Sequence, residues 1–469
     1  MSNTPIALFE RFESIAHRAP ARGLVLEAGH PPVSASRLLD LALEASRALK
    51  TEGASEGDLI LMTHASGASF VAGMLAIWAC DAVALPADVS QTEREIQDLG
   101  RSFAPRLTLR AEGGRLAASK APSPDGSKLP HETCVIKLTS GTTGGPRGIR
   151  VTADQLLADA TQIIETMAIG PQDVNIAAIP LSHSYGMDSL LMPLVVQGSP
   201  LLMVPSALPD PLARALSIEE DAVFPGVPYL FEMLSRADGP AVVRRGLKTC
   251  LSAGAPLSCR TAAAFRERLG LPVRAFYGTS ETGGICYDAS PEGDAASRGD
   301  GCVGTPMTGV TVTLQGEEGR VVVSGPNVAA GYLGTTPEED PAFVNGSFRT
   351  GDTGRLDEQG RLHLMGRLGG LVNVAGRKVN PLEVEAALLG MAGVRAAAIL
   401  GEPDEARGQS LAAVVVADAL LTRRDVIEHL KGKLAPHKLP RRVIFVAEIP
   451  VNERGKRDER AIKALLASA

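Results

Sequence analysis

Aromatic side chains are scarce: Phe, Trp and Tyr make up 4% of 469 residues, and Trp78 is the single tryptophan. The core must therefore be built mainly from Ala, Val, Leu and Ile, and the 45% apolar content is that of a globular chain. Cysteine is sparse and dispersed. Cys80, Cys134, Cys250, Cys259, Cys286 and Cys302 form no C-x-x-C pair, and no histidine stands at a zinc-ligand interval. That excludes a disulfide framework and a zinc knuckle, and the thiols read as reduced, as in a cytoplasmic protein. Long apolar runs are missing too: Phe70–Cys80 is closed by Asp81, and Leu190–Val196 by Gln197 and Gly198, both too short to span a bilayer. Met1–Ala16 carries Glu10 and Glu13 without a basic-then-apolar pattern, so no signal segment is expected. With 47 basic against 53 acidic residues and no polybasic cluster, nothing points to nucleic acid or an anionic membrane as partner.

What is present is alternation. To about Leu364, helix-like and strand-like segments succeed one another, which predicts a layered α/β unit with largely parallel sheets. Leu156, Leu157, Ala160, Ile163 and Ile164 share one face of a helix over Ala153–Thr166. Ile176–Ile179, Leu201–Val204 and Val273–Phe276 read as buried strands. Ala121–Lys128, dense in Pro, Gly and Ser, reads as an exposed connection. No repeat of roughly 20–50 residues is visible. Near Gly366 a compact α+β pattern begins, with strands Ala396–Leu400, Ala412–Val416 and Val443–Val446. Between them lies a helix capped by Thr422 and Asp425, with Val426, Ile427, Leu430 and Leu434 on one face. The expected division is an N-terminal domain over 1–366, a hinge over 367–371 that includes Gly369, and a C-terminal domain over 372–469. A tight turn would account for the glycines of that joint equally well.

The richest chemistry follows the apolar run Cys134–Leu138. Thr139, Ser140, Gly141, Thr142, Thr143, Gly144, Gly145, Pro146, Arg147 and Gly148 combine hydroxyl donors, glycines that let backbone approach an anion, and a permanent positive charge. Any three or four of these would suit a flexible surface loop; the whole string suits a polyphosphate. The G-x-x-x-x-G-K-[ST] spacing of the common triphosphatase loop is absent. Further along, Tyr277, Gly278, Thr279, Ser280 and Glu281 pack an aromatic, hydroxyls and a carboxylate into a turn. Alone, that is a buried Tyr beside a turn-capping Glu. Asp352, in Thr350-Gly351-Asp352, is a natural acceptor for a vicinal diol or simply part of an Asp-Gly turn. Lys456 sits in a Glu/Arg/Lys run that on its own reads as surface, and His183 in an apolar context that on its own reads as structural.

In order and spacing, these strings resemble the motifs of the ANL superfamily of adenylate-forming enzymes (acyl-CoA synthetases, nonribosomal-peptide adenylation domains, beetle luciferases). The intervals are about 140 residues from the phosphate loop to Tyr277–Glu281, about 70 to Asp352 and about 100 to Lys456. The resemblance extends over roughly 9–466. It implies a large α/β domain that binds ATP and a carboxylic acid, and a small mobile α+β lid. It also implies roles. Tyr277 would stack on adenine, whose edge meets Gly254, Ala255 and Pro256, while Ser280, in place of the usual threonine, faces phosphate and carboxylate. Glu281 would hold Mg²⁺ on the phosphates, a hard cation suited to carboxylate oxygen. Asp352 would take the ribose hydroxyls, and Arg367, 15 positions on, would reach the nucleotide. His183 would line the acid path, and Phe224–Tyr229 the pocket wall. Gly376 and Arg377 would meet coenzyme A, and Lys456 would bridge carboxylate and α-phosphate.

Three departures stand out. The phosphate loop ends in Pro146-Arg147-Gly148 where the family has Pro-Lys-Gly, the hinge position is Gly369 rather than Asp or Lys, and Glu459 stands where an arginine is frequent. The resemblance implies an acyl-CoA synthetase in the cytoplasm. The alternatives are a ligase that loads a carrier protein in trans and a catalytically silent nucleotide-binding paralogue. Only Leu333–Arg349 separates Gly331-Tyr332 from the Thr-Gly-Asp motif, without the insertion common in relatives that cannot use CoA. The presence of Glu281, Asp352 and Lys456 disfavours the silent paralogue.

Overall fold

The computed structural model describes residues 4–468 except 90, 113–114, 122–125, 127, 140–146, 205–208, 218–220, 238–245, 336–339, 369–371, 375–376, 405–407, 419–420 and 452–456. Most of the expected connection Ala121–Lys128 lies outside the described residues. Among those described, the strands form four sheets, of nine, seven, five and five strands. The nine-stranded sheet has a parallel centre: Gly23–Glu27, Leu201–Met203, Val174–Ala177, Ala222–Gly226, Leu247–Ser252 and Val273–Thr279 run side by side, with antiparallel strands at both edges. In the seven-stranded sheet, Thr133–Thr139, Val83–Ala87, Leu59–Thr63 and Leu107–Glu112 are parallel neighbours.

One helix packed against the seven-stranded sheet has no polar side. Ala68–Trp78 is buried from Phe70 to Trp78, as a helix apolar on all sides must be. The indole Nε1 of Trp78 donates to the Cys134 carbonyl at 3.1 Å and ties this helix to the phosphate-loop strand. The helix Ala153–Thr166 has the bounds its periodicity predicts, and it begins in a capping box between Thr152 and Gln155. The strand expected at Ile176–Ile179 runs over Val174–Ala177 instead, because its register is set by Leu201–Met203 on one side and Ala222–Val223 on the other.

The expectation of largely parallel sheets to Leu364 holds only in part: three of the six pairings in the seven-stranded sheet are antiparallel, and a further sheet is antiparallel throughout. Thr311–Gln315, Arg320–Ser324, Ser347–Leu356, Phe343–Val344 and Leu362–Arg367 form an antiparallel sheet. The local cause is a hairpin: Val312 pairs with Val323 and Leu314 with Val321, and the chain reverses over 316–319.

A second unit follows. Val372–Val374, Arg377–Val379, Gly408–Ala417, Val394–Asp404 and Arg442–Phe445 make the remaining sheet. One face packs Val384 and Leu388 of the helix Pro381–Leu389 and Val426 and Leu430 of Arg423–Lys431; the other packs Ile462 and Leu466 of Glu459–Ser468. The Thr422–Asp425 capping box forms as expected, but the helix stops at Lys431, so Leu434 packs on the core from beyond its end. The strand Leu362–Arg367 ends with Arg367 opposite Asp352, which places Arg367 in the antiparallel sheet of the first unit. Among the described residues, Asn380 Nδ2 donates to the Met365 carbonyl and the Arg260 guanidinium to that of Val394, joining the units. No described helix is long and apolar enough to cross a membrane.

One glycine shows how closely sheet and interior helix approach. Gly283 adopts φ +65°, and a Cβ there would collide with the carboxylate of buried Asp159. Gly283→Ala is expected to lose more than the roughly 1–3 kcal/mol of backbone strain alone. Gly316→Ala, at φ +71° with nothing within 4 Å of its Cβ, carries strain only. Calorimetric melting of both variants checks this, and the Gly283 variant should melt distinctly lower.

Candidate nucleotide and acid site

The strands Thr133–Thr139 and Arg147–Thr152 are antiparallel, with Thr139 opposite Arg147. Ser140, Gly141, Thr142, Thr143 and Gly144 connect them and lie outside the described residues. At the strand ends, Thr139 Oγ1 donates to the Arg147 carbonyl at 3.5 Å. The Arg147 guanidinium carbon stands 3.6 Å above the centre of the Tyr332 ring, and Nη2 is 3.0 Å from Asp340 Oδ2. Tyr332 is fixed by the short strand Gly331–Tyr332, which pairs with Ile149 and Arg150. Its hydroxyl donates to Glu281 Oε1 at 2.8 Å. Burial, and then the charge of Glu281, push the Tyr332 phenol well above its ordinary pKa, so it remains a neutral donor.

Glu281 sits on the turn between Val273–Thr279 and Gly283–Tyr287, where Gly278 faces Gly284 and Thr279 faces Gly283. A Cβ on Gly278 would run into the Gly283 carbonyl, so only glycine lets the turn close this tightly. Asn327 fastens it from outside, with Nδ2 donating to the Thr282 and Gly284 carbonyls at 2.6 and 3.0 Å. Ser280 is half-buried on the same turn. Behind it, the Tyr277 hydroxyl donates to Asp352 Oδ2 at 2.7 Å and Arg367 Nε to Asp352 Oδ1 at 3.1 Å. The structure thus brings Tyr277, Asp352 and Arg367 together across 75 and 15 residues of sequence. Burial first, and the Asp352 charge second, hold the Tyr277 phenol well above its usual range. Gly254, Ala255 and Pro256 form the partly open turn after Leu247–Ser252, Gly254 at φ +84°.

Where the resemblance expects the acid path, His183 Nε2 lies 2.9 Å from Asp88 Oδ2, close enough for an ion pair though outside hydrogen-bond alignment. Ser182 Oγ donates to the same oxygen at 3.1 Å, and Leu181 N donates to Ser66 Oγ at 2.9 Å. The Tyr185 and Phe276 rings stand 5.8 Å apart, and the Tyr185 hydroxyl donates to the Leu251 carbonyl. Immediately after, Met187–Leu191 winds as a π-turn, an irregularity frequent at functional sites.

Gly369, Gly376 and Lys456 lie outside the described residues, and of Arg377 only the backbone is described. Beside Lys456, Arg457 pairs across the chain with Val451, and its guanidinium meets Glu385 Oε2 at 2.6 Å.

A family model described as AMP-binding enzyme matches residues 12–333, and its C-terminal-domain companion matches 383–456. The chain belongs to the AMP-binding enzyme family. Among its relatives, a 2-succinylbenzoate–CoA ligase of Bacillus cereus is 30% identical over 72% of this chain and 70% of its own. A feruloyl-CoA synthase of an Amycolatopsis species is 28% identical over 74% and 73%. Among solved structures, ATP-bound MatB of Rhodopseudomonas palustris superposes at a TM-score of 0.88 with 25% identity, covering 99% of both chains. The Bacillus subtilis o-succinylbenzoate CoA synthetase carrying its acyl-adenylate superposes at 0.83 with 22% identity over 97% of both.

Within this AMP-binding enzyme, three partners escaped the sequence reading: Asp88 of His183, Asp340 of Arg147, and Tyr332 as the link to Glu281. Asp88 carried a usable signal, since it directly follows the parallel strand Val83–Ala87 and ligands of α/β sheets gather at such carboxyl ends. Tyr332→Phe keeps the ring under Arg147 but frees Glu281. With the fold intact by circular dichroism, ATP–pyrophosphate exchange should fall about tenfold, ~1.4 kcal/mol, the scale of one hydrogen bond to a charged group. Exchange at the wild-type rate would show that the hydroxyl does not orient Glu281.

Proposed function

We propose that the protein is an AMP-forming acid–CoA ligase whose nucleotide and acid site is the pair of clusters just described. The observation that carries this reading is the continuous contact Asp340–Arg147–Tyr332–Glu281, which joins the phosphate-loop strands to the carboxylate turn across 193 and 51 residues of sequence. Such a cluster puts a guanidinium and a carboxylate on one site, and a polyphosphate with its counter-cation needs both.

In the first step a carboxylate oxygen of the acid attacks the α-phosphorus of ATP, the bond to the bridging oxygen breaks, and pyrophosphate leaves. Arg147 and the hydroxyls from Thr139 to Thr143 neutralise the departing charge as preorganised donors. Glu281, a partly exposed carboxylate with one oxygen on Tyr332, is a hard oxygen donor that would hold Mg²⁺, which supplies charge neutralisation on the phosphates. Asp352 keeps lone pairs beyond those used by Tyr277 and Arg367 and accepts from ribose, while Tyr277 offers its ring to adenine. His183, braced by Asp88, borders the carboxylate path, and Lys456 spans carboxylate and α-phosphate. In the second step the C-terminal unit turns about the joint at Gly369 and brings Gly376 and Arg377 to the CoA arm. The thiol sulfur, its proton lost, attacks the acyl carbonyl, and AMP leaves. The short segment from Tyr332 to Arg349 favours CoA over a carrier protein as acceptor.

Exchange of labelled pyrophosphate into ATP, run with ferulate, 2-succinylbenzoate and aliphatic acids of graded length, tests the reading directly. Exchange with none of them would sink it. Addition of CoA should then yield a thioester. Lys456→Ala should abolish exchange yet leave thioester formation from a synthetic acyl-adenylate within severalfold of wild type, because the ammonium is needed while phosphate charge develops. Equal loss in both steps would remove Lys456 from its role.

A further inference from the structure

Lys137 interrupts an apolar strand. It stands between Ile136 and Leu138, only 4% exposed, two residues before Thr139. Its Nζ reaches both carboxylate oxygens of Asp188, at 2.7 and 2.8 Å. Asp188 is equally buried, on the π-turn five residues after His183. A second carboxylate, Asp159 of the interior helix Ala153–Thr166, faces Asp188, and its Oδ1 accepts from Gly284 N at 2.8 Å. Gly284 is three residues from Glu281. These contacts run from the phosphate-loop strand in one sheet, through the interior helices, to the carboxylate turn in the other.

A buried ion pair adds little net stability over apolar residues of similar volume, because desolvation offsets the attraction. What it does supply is a directional link of fixed length. Ionised together, the three groups would leave an uncompensated negative charge in the interior. Burial first, and the Asp188 charge second, drive the Asp159 carboxyl well above its ordinary pKa, which favours a protonated Asp159 beside the Lys137–Asp188 pair.

We propose that Lys137, Asp188 and Asp159 are positioning residues for adenylate formation, holding the phosphate-loop strand, the His183 segment and the Glu281 turn in the register at which the acid meets the α-phosphate. The inference rests on the proposed ligase reading but concerns residues that touch neither substrate. Its test is Lys137→Met combined with Asp188→Asn, which removes both charges together, and separately Asp159→Ala, which removes the acceptor for Gly284. Exchange of pyrophosphate into ATP with the best acid of the panel is compared with thioester formation from a supplied acyl-adenylate and CoA. Exchange should fall at least tenfold in kcat while thioester formation stays within about twofold. Exchange within twofold of wild type, or an equal fall in both steps, overturns the proposal. Should the double variant fail to fold, Asp159→Ala decides by the same criterion. A wild-type protein that exchanges with no acid defeats the ligase reading itself, an outcome distinct from unaltered variants beside an active wild type.

Discussion

Tyr332 keeps a cation and an anion at a fixed separation, and the geometry of the site follows from that. The ring presents its electron-rich face to the Arg147 guanidinium, while the hydroxyl at its edge donates to Glu281. Without the ring, Arg147 and Glu281 would be free to pair directly and neutralise each other. Asp340 completes the arrangement by holding one side of the guanidinium. The strand Gly331–Tyr332 is short, but it is paired with Arg147–Thr152, so the residue that separates the charges belongs to the same sheet as the residue it carries.

The second cluster obeys a related logic. Asp352 and Arg367 face each other across an antiparallel pair, and Tyr277 arrives from the neighbouring sheet to occupy the other carboxylate oxygen. The carboxylate is thereby aimed before any ligand is present, which lowers the ordering cost of binding a diol. Arg367 also ends the last strand of the first unit, so the point at which the chain departs for the second unit is anchored to the Tyr277–Asp352 contact.

Local structure was legible in the sequence, and long-range partnership was not. The turn at Tyr277–Glu281, the periodicity over Ala153–Thr166 and the Thr422–Asp425 capping box each lie within a few residues of sequence, and each forms where the sequence places it. The antiparallel sheet over 311–367 was missed because its short strands sit in a region read by its helix-and-strand alternation, although the alternating Val312, Val321 and Val323 were there to be seen. Asp340, 193 positions from Arg147, belongs to no string, and neither do Lys137, Asp188 and Asp159, which meet only after two sheets have closed over the interior helices. A lysine amid Cys134, Val135, Ile136 and Leu138 was nevertheless an anomaly, since a buried charge demands a partner.

The arginine at the end of the phosphate loop gains a reason from the same geometry. A lysine there would offer a compact ammonium on a flexible stem, able to approach phosphate but poorly shaped to lie flat on an aromatic ring. A planar guanidinium can stack on Tyr332, bond Asp340 through one edge and still direct donors elsewhere, because its five N–H groups are fixed in one fork. The departure at Arg147 and the two partners that sequence could not assign to it are therefore parts of one device. Arginine stands where one charge is held by two neighbours at once, a ring beneath it and a carboxylate at its edge.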